Sequence, residues 1–303
     1  MRRVLALLAL AVAGCGESVP SPIDKVSAAI RGGAPDTEHT AVVTLLTNLG
    51  MGLQGICSGT VIHVQDRDAL VLTAAHCVVQ VDNAGEPKLP PVPLPAAKIT
   101  VLPNGILGGP PLPATALTIN PGYDAFIGSR NDVAIVRVTG DVATLPVVQP
   151  LAAADDQLQV GATVTLVGFG EAEQPDSLGV RRAVEKPVKW LNAQFLGFDQ
   201  TDGLGACSGD SGGPTLVTVG GATALAGVAS FVAGTRADPC ATNFTSIRIG
   251  QHADFLAKAI TNMGAAPSDG GCTLAAAPPV GATKRLWLDA LLVVAVLALR
   301  RRR

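Results

Sequence analysis

The residues best placed to do chemistry are a serine, a histidine and an aspartate, each in a distinctive local setting. Ser211 stands in Gly209-Asp210-Ser211-Gly212-Gly213-Pro214. Glycines on both sides permit a tight turn in which backbone N–H groups, those of Gly209 and Ser211, converge on one developing oxyanion. His76 ends the segment Leu72-Thr73-Ala74-Ala75-His76-Cys77, where two small alanines leave the ring room to reach a cleft. His39, His63 and His252 have no comparable context. Asp132 opens the apolar run Val133-Ala134-Ile135-Val136. A carboxylate among such neighbours is costly unless it meets a donor such as an imidazole N–H. Taken alone, Asp132 serves equally well as a strand-start cap. Together the three supply a hydroxyl, a base to take its proton and a carboxylate to hold the base, the components for nucleophilic attack on an acyl carbon.

These residues need rigid elements to carry them. Val-, Ile-, Thr- and Leu-rich runs bracketed by Gly, Pro, Asn or Asp predict strands over Thr40–Leu46, Gly59–Val64, Ala69–Thr73, Lys98–Leu102, Asp132–Val138, Ala162–Gly168, Val180–Val188 and Ala224–Phe231. The pattern is that of an all-β sandwich or barrel. Helical spacing is confined to Gln251–Asn262, where Phe255, Leu256, Ala259 and Ile260 share a face. Proline lacks a backbone donor, so the Pro-rich stretches Glu86–Ala97 and Pro103–Pro113 read as surface loops. Gly140–Gln159 reads as the connection between two β units of similar size.

Composition narrows the function classes. Hydrophobic residues make up 48% of the 303 and charged residues 15%, a balance suited to a packed core. Lys plus Arg total 22 against 24 Asp plus Glu, and the resulting charge of -2 offers no field for a polyanion, so nucleic acid is not an expected partner. The ends read as export signals. Met1-Arg2-Arg3 precedes the apolar run Val4–Ala13, as in a signal peptide, and Val12-Ala13-Gly14-Cys15 resembles the lipobox of bacterial lipoproteins, in which Cys15 is lipidated. An ordinary cleaved signal accounts for the same residues. At the other end Cys272, an apolar run over Leu286–Leu299 and Arg300–Arg303 resemble a myxobacterial-type sorting tail. The alternative is a weak permanent anchor, since a spanning helix needs about 20 apolar residues. Membrane contact is expected only through these ends, and the destination is the outer membrane, the cell surface or the medium. Cys57, Cys77, Cys207 and Cys240 remain in the body; an even count in an exported chain implies disulfides, with the pairing open, and no C-x-x-C spacing favours a metal.

The chain order His, Asp, Ser, together with Leu72–Cys77, Asn131–Val136 and Gly209–Pro214, resembles the active-site motifs of the chymotrypsin/trypsin family from about Ile30 to Met263. The resemblance implies two antiparallel six-stranded β-barrels with a C-terminal helix. It further implies the disulfides Cys57–Cys77 and Cys207–Cys240, and a serine endopeptidase that needs no cofactor or metal. The domain plan that follows is a signal at 1–14, a lipoprotein-like start and propeptide at 15–29, a first barrel at 30–148, a second barrel with the helix at 149–263, and a tail at 264–303. Cleavage before Ile30-Arg31-Gly32-Gly33 would let the Ile30 ammonium pair with Asp210; the family's usual second residue is Val, and Arg31 departs from it. By the same resemblance Gly205 lies at the floor of the substrate pocket and Ser230 and Val232 on its wall, with Phe244 nearby. The absence of an Asp at position 205 argues against Arg or Lys specificity, and Val232 argues for small apolar residues before the cut bond. Protein or peptide substrates, an activating protease and export and sorting machinery are the implied partners. A catalytically inactive, protease-like surface binding module is the competing reading.

Overall fold

The computed structural model describes residues 30–50, 53–82, 86–106, 108–125, 129–170 and 179–264. The expectations for the signal peptide, Cys15, Cys272 and the tail therefore lie outside the described residues. In chain order the strands of the first half are β1 (Ala34–Pro35), β2 (Val42–Gly50), β3 (Leu53–Gln65), β4 (Asp68–Thr73), β5 (Ile99–Leu102), β6 (Leu112–Ile119) and β7 (Ala134–Thr139). Those of the second half are β8 (Gln149–Pro150), β9 (Thr163–Gly168), β10 (Arg182–Pro187), β11 (Trp190–Leu191), β12 (Phe195–Asp199), β13 (Pro214–Val219), β14 (Ala222–Ala233) and β15 (Asn243–Arg248). One α-helix, α1 (Ala253–Thr261), follows a 3-10 turn over Ile249–His252.

The all-β expectation holds. Strands β2, β3, β4, β7, β6 and β5 close an antiparallel barrel, while the second half forms a nine-stranded sheet in the order β1-β10-β9-β13-β14-β15-β12-β11, with β8 added parallel to β14. The second half is thus one continuous ladder rather than a separate six-stranded ring. Barrel closure follows from the apolar runs: in β4 every residue after Asp68 is buried, as expected for a strand packed on both faces. The chain changes unit over a few residues, since Val148 N donates to Val61 O and Leu151 N to Leu225 O. At the front it crosses over, where Ala34 and Pro35 pair with Ala183 and Arg182 in the second unit.

Four of the longer strands were not expected, and β2, β3 and β14 run past their expected bounds. Strand β6 begins inside the Pro-rich stretch at Leu112; Pro113 is tolerated there because its side chain is exposed at the point where β6 passes from pairing with β5 to pairing with β7. Strands β12, β13 and β15 carry no clean alternation and escape the sequence pattern.

Ser58, in β3, ties the two units together. Its hydroxyl donates to Gly209 O at 3.0 Å and accepts from Phe169 N at 2.9 Å, while its own amide donates to Ser211 O at 2.8 Å. His252 provides a second tie, its ring lying 3.1 Å from the Asn120 side-chain nitrogen and so pinning the C-terminal turn to the first barrel. Ser58→Ala strips two buried backbone groups of their partners and should cost about 1–3 kcal/mol. A denaturant midpoint equal to that of the parent would contradict the assignment of Ser58 as an inter-unit tie.

Candidate active site

The loop Gly209–Gly213 lies at the junction of the two units. Gly212 has φ +82, and a Cβ there would collide with Thr73 Oγ1 and Ser58 O, so only glycine brings this turn against the first barrel. Gly212 N donates to Ala229 O and Ala229 N to Gly213 O, both at 2.8 Å, stitching the loop to β14. Asp210 N is bound to Cys207 O at 3.1 Å and Gly213 N to Asp210 O at 2.8 Å. The amides of Gly209 and Ser211 have no partner among the described residues. The loop's other amides are thus committed, and these two are left available.

Asp210 itself is turned inward and 1% exposed. Its Oδ2 accepts from Ile30 N at 2.8 Å and Cys207 N at 2.9 Å, and its Oδ1 from Gly170 N at 3.1 Å. Burial pushes its pKa up to about 7, although all three amides pull the other way. Ile30 is 2% exposed and packs in the core cluster of the second unit with Leu166, Phe198 and Ala229. Burying a side chain of that size contributes about 1.5–3 kcal/mol toward holding the segment in place.

The expected histidine and aspartate meet. His76, on the 3-10 turn Ala75–Val78 that follows β4, has Nδ1 2.7 Å from Asp132 Oδ2, and its amide donates to Asp132 Oδ1 at 2.9 Å. Asp132 is 4% exposed and sits just before β7, which is hydrogen-bonded to β4 through Thr73 and Ala134. This strand pairing brings two chain segments 56 residues apart to one point. The cap reading of Asp132 gives way, because both carboxylate oxygens are engaged by His76. A third donor, Ser230 Oγ, reaches Asp132 Oδ2 at 2.6 Å. Ser230 can do so because β14 bulges between Ala229 and Phe231 against β15, turning it out of the ladder. Sequence reading had placed Ser230 only on the pocket wall; the bulge depends on a partner strand, and no local signal announces it.

Burial opposes charge on both partners. It lowers the His76 pKa, but the Asp132 charge and hydrogen bond outweigh it and hold His76 above its ordinary 6.5. For Asp132 burial acts upward and is overcome by His76 and by the Ser230 hydrogen bond, so the carboxylate lies below its usual value. With the folded value of His76 raised and that of Asp132 lowered, the stability this pair contributes is complete between pH 3.8 and 6.5; it is lost as pH rises through the folded His76 value and again as pH falls through the folded Asp132 value.

Ser211 has its carbonyl 3.6 Å from Cys77 Sγ. Cys77 is joined to Cys57, and Cys207 to Cys240, with Cα separations of 6.2 and 5.5 Å, so the expected pairing is present. Cys57, His76 and Cys77 lie together, but the disulfide consumes both thiols and leaves His76 as the one titratable donor of that group.

Beside Ser211 opens a cleft of about 260 Å³ lined by Cys207, Ser208, Ala229, Ser230, Phe231, Val232 and Phe244. Ser230 and Val232 thus border it as expected, whereas Gly205 is not among the lining residues. Gly205 N and O pair with Arg31, and with φ +146 a Cβ at this position would strike the buried Gln200 side chain. Phe244 stands in the cleft instead, stacked 5.4 Å from Phe198.

Two β units meeting at a loop that carries a serine, beside a histidine held by a buried aspartate, define the chymotrypsin-like class of fold. The pattern of the family described as Trypsin matches residues 30–249, and the chain belongs to this family of serine proteases. It is similar to CLIP domain-containing serine protease B10 of Anopheles gambiae, 31% identical over 118 residues covering 34% of this chain and 33% of that protein. It is also similar to brachyurin of Leptuca pugilator, 29% identical over 181 residues covering 52% and 69%, and to chymotrypsin-2 of Vespa crabro, 29% identical over 161 residues covering 48% and 67%. The chain therefore spans between 33% and 69% of these relatives' lengths. Among the described residues no helix is long and apolar enough to cross a membrane.

The imidazole should titrate above 6.5 when followed by NMR, and Asp132→Asn should bring it below 6.5, because burial then acts without an opposing charge. An unchanged value in that variant would mean that Asp132 does not set the charge state of His76.

Proposed function

We propose that the protein is an exported serine endopeptidase that cuts protein or peptide chains after small apolar residues. The observation that carries the reading is the buried Asp132 gripping His76 at both its ring and its amide, beside a loop that leaves the Gly209 and Ser211 amides unspent. With Nδ1 engaged by Asp132, Nε2 is the nitrogen left to act as base.

As Ser211 Oγ bonds to the substrate carbonyl carbon, its proton passes to His76 Nε2 and the carbonyl electrons move onto oxygen, where the Gly209 and Ser211 amides receive the charge. Collapse expels the amine, which takes the proton from His76 and leaves an acyl group on Ser211. Water then repeats the sequence, giving up a proton to His76 while the acid departs and Ser211 regains its own. Asp132 stays ionised throughout and stabilises the imidazolium. The cleft supports the proposed specificity: Val232 and Phe244 line it, and of its three serines Ser230 is committed to Asp132. Among the described residues no carboxylate lines it to receive Arg or Lys.

The reading includes activation by cleavage before Ile30. In the uncut chain Asp210 receives only a neutral amide from Ile30; cleavage by an activating protease would replace it with an ammonium at the same place. The terminal segments, read as export and sorting signals, complete the proposal.

A serine-directed phosphonate should label the wild-type protein stoichiometrically and Ser211→Ala not at all, with peptide hydrolysis falling at least about a thousandfold in the variant. Hydrolysis should also decline as pH falls through the raised His76 value. Equal labelling of both proteins would return the chain to the class of binding modules.

Peptide libraries should yield cuts after Ala and Val, and Val232→Gly should extend cleavage to larger apolar residues. Rapid cutting after Arg with none after Ala would reject the specificity.

A further inference from the structure

At position 31 the chain carries an arginine where its family usually carries valine, and a long cation next to a buried residue must find a partner. The Arg31 guanidinium pairs with Asp238 through two parallel contacts, Nη1 to Oδ1 at 3.1 Å and Nη2 to Oδ2 at 2.9 Å. Fork-to-fork geometry of this kind fixes orientation as well as supplying charge attraction. The arginine side chain is 16% exposed, so the pair is only partly open to solvent screening.

Asp238 also organises the turn that contains it. Its Oδ1 accepts from Cys240 N at 3.1 Å, its carbonyl accepts from Thr235 N at 2.9 Å and Ala241 N at 3.2 Å, and its amide donates to Thr235 Oγ1 at 3.0 Å. This turn joins β14 to β15, and so connects Val232 to Phe244, two residues that line the cleft. Cys240 ties it by disulfide to Cys207, a third lining residue. The Arg31 backbone meanwhile grips Gly205, two residues before the lining Cys207, donating to Gly205 O at 2.6 Å and accepting from Gly205 N at 3.1 Å. A single residue therefore holds both chain segments that frame the cleft, through its main chain on one side and its side chain on the other.

We propose that Arg31 is a positioning residue whose ion pair with Asp238 makes the shape of the substrate cleft conditional on the seating of Ile30 against Asp210. When the Ile30 segment is docked, the Thr235–Ala241 turn is anchored; when it withdraws, Asp238 loses its cation and the wall between Val232 and Phe244 loosens. The inference rests on the activation reading above and adds a second latch to it, one that acts on substrate fit rather than on the oxyanion loop.

Two measurements separate the latch from the protease reading. In the full-length chain carrying Ser211→Ala, amide hydrogen exchange needs no turnover. There Arg31→Ala should speed exchange across 235–241 about tenfold relative to the parent while amides of the first barrel keep parental rates. Arg31→Lys should restore part of the protection, and the paired exchange Arg31→Asp with Asp238→Arg most of it. Unchanged rates in the turn, or a uniform rise across the whole protein, overturn the latch. With Ser211 intact, Arg31→Ala should raise KM for a small-apolar peptide about three- to tenfold while kcat moves less than about twofold, with Lys restoring KM. A fall in kcat at constant KM also overturns it. Absence of Ser211-dependent hydrolysis in the parent would remove the protease reading, and the exchange rates would still decide the latch.

Discussion

The conformation of the site depends on a carboxylate turned into the protein. Asp210 collects amide hydrogens from Ile30, Cys207 and Gly170, and so holds three points of the chain against one carboxylate. Because a buried carboxylate must have its oxygens satisfied, the three donors and the acceptor constrain one another. With the Asp210 side chain drawn inward, its neighbours on the loop face outward, and the Gly209 and Ser211 amides stay unspent beside the Ser211 hydroxyl.

The two β units then act as jaws on that loop. The first barrel supplies His76 and Asp132 next to the ends of two paired strands, and through Ser58 it also holds the carbonyls of Gly209 and Ser211. The second supplies β14, whose backbone pairs with Gly212 and Gly213 and whose bulge sends Ser230 back to Asp132. Each unit therefore contributes both to the loop and to the His76–Asp132 pair. Displacing one unit relative to the other would disturb Ser211, His76 and Asp132 together, and one hydrophobic cluster runs on from Val71 and Val136 in the barrel to Val167, Leu216 and Val228 in the sheet.

Much of this was legible in the sequence where chemistry and local structure coincide. His76, Asp132 and Ser211 announce themselves because each needs small or apolar neighbours of a specific kind, and runs such as Ala69–Thr73 give their strands away by continuous apolarity. What escaped depends on register. Ser230 reaches Asp132 only through a bulge set by β15, Ser58 bridges the units only because β3 passes under the loop, and Gly205, expected at the pocket floor, is paired with Arg31 and does not line the cleft that Phe244 borders as expected. Strand β6 escaped for a different reason: prolines favour surface loops, but Pro113 sits where its missing donor and exposed ring do no harm. Arg31 read as a flaw in a motif, because its partner lies 207 residues away.

Two buried aspartates, Asp132 and Asp210, illustrate how partner type decides ionisation. Both are nearly inaccessible and both accept several hydrogen bonds, yet Asp132 is held below its ordinary value and Asp210 is pushed up to about 7. The difference is that Asp132 faces a ring able to carry a full positive charge, whereas Asp210 faces amide dipoles alone. Hydrogen bonds from neutral donors recover only part of the hydration a carboxylate loses, and a cation is needed to recover the rest. The Ile30 nitrogen stands 2.8 Å from Asp210, so the proposed cleavage would place an ammonium beside the second aspartate as the imidazole stands beside the first. On the proposed activation, cleavage before Ile30 would supply the cation that these neutral amides do not.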